Sequence, residues 1–226
     1  MQSENVRTLE FPDVGEGCMI VDAEKMRSLP SREEAEKLLV WADSLNPGKW
    51  VDHSRNAARA AEKIAAGCGM DGNAAYILGL LHDIGRYEGV TGLRHVYSGC
   101  RLMLEKGFHW VARVCVSHSF VDGKFDAYLG TIDCSAEEQE YLKDQLREME
   151  FDDYDKLIQL CDSICLPEGI CILEKRLIDV NRRYGVNEST VKKWEIYFGI
   201  KDYFDKKCGK NIYNYFYQEV VKNSID

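Results

Sequence analysis

Residues 74–86 read AAYILGLLHDIGR, and their interpretation decides the fold. The run from Ala74 to Leu81 is apolar on almost every side, which describes a helix buried on most of its faces rather than one lying on a surface. His82 and Asp83 then close the most apolar helix of the chain, where further apolar residues would be the ordinary continuation.

Upstream, a helix is expected over roughly 50–66, with Ala57, Ala60, Ala61 and Ile64 at the offsets of one face. His53 stands four residues before Ala57 and continues that inward stripe. Downstream, helices are expected at 95–106 and 109–118, and His118 shares the inward face with Val111 and Cys115. A Gly- and Asp-containing loop follows at 119–131. Ser135 with Glu138, like Ser31 with Glu34, marks a capping-box helix start. A helix at 153–166 stops before Pro167 and sets Asp162 between Ile158 and Cys165. A bare aspartate on such a buried stripe costs several kcal/mol, roughly, unless it is paired or metal-bound.

From Gly169 onward, Leu173, Leu177, Val180 and Tyr184 keep helical spacing, and the tail is expected to supply three more helices. No alternating run of strand type occurs, so the class is all-α. The expected organisation is an irregular N-terminal arm over 1–30, a helical domain over 31–167, and a helical extension over 168–226 packed on that core.

The 226 residues are 45% hydrophobic, enough for a proper core, and the formal net charge is −9. That charge argues against a polynucleotide partner, because phosphate neutralisation by a basic face supplies most of such affinity. No apolar stretch approaches membrane-spanning length, and the N-terminus lacks a secretory pattern, so a cytoplasmic protein with no membrane partner is expected. Nine cysteines without a CxxC pair read as reduced thiols rather than a disulfide framework. The aromatic cluster Tyr213, Tyr215, Phe216 and Tyr217 reads either as core packing of the last helix or as a homodimer surface.

Taken singly, an inward histidine is more often a core residue bonded to a carbonyl, and an inward aspartate a cap or half of an ion pair. Together they carry more weight. All five histidines fall between 53 and 118, and at least three face the expected core. Imidazole with carboxylate is a ligand set suited to iron, manganese or zinc rather than calcium.

HSRNAARAAEKIA (53–65), LLHDIGR (80–86), RHVYSG (94–99), VSHS (116–119) and LCDSI (160–164) together resemble the HD-domain metal-dependent phosphohydrolases. The resemblance implies an α-helical bundle in which His53, His82, Asp83 and Asp162 hold a divalent metal ion. His95 and His118 are similar to the extra pair of dinuclear members, with Asp83 bridging to a second ion. Most similar in this respect are the bacterial symmetrical diadenosine-tetraphosphate hydrolases. The cyclic-dinucleotide branch resembles this chain less, since no GYP tripeptide and no adjacent His pair occur. Iron or manganese heads the expected metals, with nickel, zinc and magnesium as further occupants.

The implied reaction is hydrolysis of a phosphoester or phosphoanhydride in a small, nucleotide-like phosphorylated substrate by metal-activated water. Asp83 and Arg86 are the catalytic candidates. Arg86 reads equally as a phosphate ligand or as a helix-end cation favoured by the dipole. Arg94 and Lys124 are weaker substrate-binding candidates, and a plain surface charge is the competing reading of each. Two other functions share the ligand set: a di-iron oxygenase of the same superfamily, and a nucleotide-binding regulatory protein.

Overall fold

The computed structural model of the protein describes residues 27–225, so all but the last four residues of the arm expected over 1–30 lie outside the described residues. The described residues are all-α apart from one two-stranded hairpin. Helix α1 (Arg32–Leu45) opens on a capping box, with Glu34 N donating to Ser31 Oγ and Ser31 N donating to the Glu34 carboxylate. It leads into α2 (Lys49–Gly67) and α3 (Gly72–Leu81), the most extensively packed pair of elements. Small residues make that packing close. Ala57, Ala58, Ala60 and Ala61 are fully buried, and Gly79 presses on the α2 backbone, where an added Cβ would lie 2.9 Å from Ala58 Cα.

A 3-10 turn over Ile84–Glu88 follows α3, and α4 (Arg94–Glu105) and α5 (His109–Ser117) stack beyond it. Gly85 in that turn abuts the His95 carbonyl and the Gly99 amide of α4, leaving no room for a side chain. This contact docks the His-Asp turn directly on the helix that carries His95. Helix α6 (Ala136–Arg147) has the expected Ser135–Glu138 box, and α7 (Asp153–Ile164) is capped by Asp152.

The expected helix through 166 ends two residues early. Cys165–Leu166 (β1) pairs antiparallel with Gly169–Ile170 (β2), because proline disfavours helical backbone in the residue before it. Three helices follow, α8 (Leu173–Tyr184), α9 (Thr190–Lys207) and α10 (Tyr217–Ile225). Helices α8 and α9 lie against α7, and α10 lies against β2. Arg59 on α2 grips Glu219 on α10 through two 2.6 Å bonds. In the aromatic cluster Phe216 is buried, the Tyr213 hydroxyl accepts from Leu173 N, and Tyr217 is exposed.

The expectation that every cysteine is a reduced thiol is corrected by a disulfide between Cys68 and Cys208, which ties the end of α2 to the end of α9. The two lie 140 residues apart in sequence, so only the tertiary fold brings them together. The other six described cysteines form no disulfide and are buried, as small apolar residues would be. Among the described residues no helix is long and apolar enough to cross a membrane.

Gly79→Ala forces a methyl group into the α2 backbone, and a loss of about 1–3 kcal/mol of unfolding free energy is expected in urea titrations. An unchanged midpoint would show that α2 and α3 are not packed this closely.

Candidate metal centre

Five helices converge on one point. The first turn of α2 brings His53, the end of α3 brings His82 and Asp83, and the first turn of α4 brings His95. His118 follows the last residue of α5, and Asp162 lies in the last turn of α7. The four imidazoles and Asp83 are all buried, and Asp162 is about a quarter exposed, with 26% side-chain accessibility.

The backbone sets the state of each imidazole. His53 Nδ1 lies 3.1 Å from the Cys165 carbonyl, His82 Nδ1 2.7 Å from that of Gly79, and His118 Nδ1 3.1 Å from that of Val114. His95 Nδ1 makes the corresponding contact with the Gly92 carbonyl. A carbonyl only accepts, so each Nδ1 carries the proton and each Nε2 presents a lone pair. Burial keeps two of the rings neutral: it lowers the His82 pKa to about 4, and burial together with Arg86 lowers that of His95 to about 3. Burial alone would raise the Asp83 carboxyl. The Arg86 guanidinium beside it, with Nε 2.5 Å from Asp83 Oδ2, overrides that effect and holds it well below the usual carboxylate range.

These lone pairs face two carboxylates. His95 Nε2 lies 3.2 Å and His118 Nε2 3.6 Å from Asp83 Oδ1, while His82 Nε2 lies 4.0 Å from Asp83 Oδ2. Asp162 Oδ1 is 2.9 Å from His53 Nε2 and 3.8 Å from His82 Nε2. His118 Nε2 accepts from the Ser119 hydroxyl at 3.0 Å. His82 Nε2, His95 Nε2 and Asp83 Oδ1 are buried acceptors with no hydrogen-bond partner. Leaving such groups unmatched costs about 1–3 kcal/mol each. Divalent cations held through the shared Asp83 would satisfy all three, so these residues fit metal ions.

Among the described residues two ligand groups are present, His53-His82-Asp83 and Asp83-His95-His118, each with its donor atoms within 4.8 Å of one another. Asp83 belongs to both. The cluster forms the floor of an open cleft of about 840 Å³.

The second-tier candidates fare differently. Arg86 lines the cleft. Arg94 does not, because Glu88 and Glu138 clamp its guanidinium at 3.0 and 2.9 Å. Lys124 is exposed and lines a separate hollow with Phe125, Lys143 and Arg147. Glu88 is half-buried and accepts from Ser98 and Arg94, so it braces the turn that carries Asp83. His109 is buried at the start of α5 and does not join the cluster. The far wall of the cleft comes from residues that the sequence does not single out: Arg176, Lys193, Trp194 and Tyr197 of α8 and α9, with Tyr128 from the loop. Helical spacing shows that α8 and α9 pack, but not which of their residues turn toward a site on other helices.

Residues 50–165 match the family model of the HD domain. No curated protein and no solved structure matches the chain.

Metal-stripped protein is expected to gain about 5–10 °C in melting temperature on adding saturating manganese, since ligand near 100 times its Kd stabilises by about 2.7 kcal/mol. Asp83→Asn should remove most of that gain. A wild-type melting curve indifferent to manganese, iron and zinc would argue against a metal centre.

Proposed function

The chain belongs to the HD-domain family, and on that premise we propose that it is a metal-dependent phosphohydrolase acting on a small, nucleotide-like molecule. The observation that carries the reading is the position of Asp83, shared by both ligand groups beneath an open cleft with Arg86 at its shoulder. HD domains bind divalent metals and generally carry out hydrolysis of this type.

In this reading His53, His82, Asp83 and Asp162 hold one ion, and Asp83 bridges to a second held by His95 and His118. Iron or manganese suits the mixture of imidazole and carboxylate best. Bound there, the cations would lower the pKa of a shared water and neutralise charge developing on the phosphoryl group. The four backbone carbonyls behind the imidazoles keep every Nε2 aimed inward, so the ligands need no reorganisation. Arg86 spends its Nε on Asp83, which leaves the Nη donors of its fork for phosphate oxygens in the cleft.

No serine or cysteine nucleophile is required. The buried cysteines near the site are poor nucleophiles, since burial raises the Cys115 and Cys165 thiols well above their ordinary range. A cleft of about 840 Å³ is roomy enough for a nucleotide-sized ligand. The net charge of −9 favours a small substrate over a polynucleotide.

The test is phosphate release by anaerobically purified, iron- or manganese-loaded protein across mononucleotides and dinucleoside polyphosphates. Turnover is expected to require metal and to fall by about 10²–10³-fold or more in Asp83→Ala. Arg86→Ala should lose about 10–100-fold in kcat/KM, the scale of a hydrogen bond to a charged group. Full turnover in Asp83→Ala would refute the proposal. Oxygen consumption without phosphate release would transfer the same centre to the oxygenase branch.

A further inference from the structure

The cleft extends well beyond the cluster on its floor, and its opposite wall is cationic. Arg176 on α8 lines it with only 18% of its side chain accessible. Its Nη1 reaches Asp179 at 3.4 Å, and its Nε is buried without a hydrogen-bond partner. Lys193 on α9 lines the same wall and is 8% accessible. Arg183 stands nearer the rim and shares Asp179, at 3.0 Å. Asp179 and Asp122 are carboxylates near this group.

A buried guanidinium with an unmatched donor in a solvent-connected cleft is costly unless something occupies it. The same wall carries flat rings. Trp194 is held by an Nε1 bond of 3.0 Å to Asn181 on α8, and Tyr197 sits between Asp162 and Arg176, its hydroxyl bonded to Ser163. Cations, aromatic rings and metal ligands therefore line one cleft.

We infer that Arg176 and Lys193 bind a second anionic group of the substrate, distinct from the phosphoryl group presented to the floor of the cleft. The favoured substrate is then a small molecule with two separated anionic groups joined by a flat ring or short chain that lies against Trp194 and Tyr197. This rests on the cleft being the substrate site of the proposed hydrolase, and it gives the C-terminal helices a role in specificity. Arg176 and Lys193 touch the distal group and take no part in bond cleavage.

Adenosine 5′-monophosphate and adenosine 3′,5′-bisphosphate share one ring and differ in anion count, which makes them suitable probes. Dissociation constants would be measured by calorimetry on the manganese-loaded full chain. If either probe turns over, its inhibition constant against bis(4-nitrophenyl) phosphate replaces the calorimetric value. The bisphosphate is expected to bind about tenfold or more tightly than the monophosphate, the scale of one charge-assisted contact. In Arg176→Gln/Lys193→Gln that advantage should vanish, with monophosphate affinity kept within about twofold. Arg176→Lys should retain part of it. If the double variant does not fold, single Arg176→Gln carries the same expectation at reduced size.

Equal affinities in the wild type, or an advantage that survives in the variants, overturns the inference and leaves the hydrolase reading standing. An advantage lost in the variants of a protein that releases no phosphate from any compound supports the anion-binding wall and removes the hydrolase reading instead.

Discussion

Four imidazoles and two carboxylates share one buried space, and that crowding of ligand groups is what the rest of the architecture serves. Each Nδ1–H is turned outward onto a main-chain carbonyl, so every lone pair points inward toward Asp83 and Asp162. Without a cation, His95 Nε2 and His82 Nε2 confront Asp83 oxygens at 3.2 and 4.0 Å, and these two nitrogens and Asp83 Oδ1 have no hydrogen-bond partner. Folding would work against this arrangement unless binding energy offset it, and the site thereby couples metal occupancy to stability. Gly79 and Gly85 are where the helices meet most closely, bringing α3 onto α2 and the His-Asp turn onto α4. A side chain at either position would move ligands relative to one another.

Much of this was legible in the chain alone, for a physical reason. A polar residue at the end of an apolar helix, or on its inward stripe, is a local anomaly that periodicity exposes directly. His53, His82, Asp83, His118 and Asp162 are such anomalies, and the structure gathers all of them with His95 at one point. The all-α class followed from the same periodicity, and the capping boxes at Ser31 and Ser135 set two helix starts to the residue.

What could not be read depends on contacts between distant segments. Nothing near Cys68 or Cys208 marks a bond across 140 residues. The hairpin at 165–170 involves only four paired residues, too few for an alternating pattern. Arg94 and Lys124 looked suitable because they are cations close in sequence to ligands or loops. Sequence proximity did not reveal that two glutamates hold Arg94, or that Lys124 faces another hollow. Conversely, Arg176 and Lys193 lie far from every motif and line the cleft only because α8 and α9 fold back over α7. The floor of the cleft thus belongs to the HD-domain segment and much of its far wall to the C-terminal helices.

The central claim is that the convergent imidazoles and carboxylates are the ligands of two metal ions bridged by Asp83. Anomalous X-ray scattering from crystals of the manganese- or iron-loaded protein tests it most directly. The account predicts two anomalous peaks a few Å apart, one against His53, His82 and Asp162, the other against His95 and His118, with Asp83 touching both. A map without a peak in this cluster, or with its only peaks elsewhere on the chain, would contradict it.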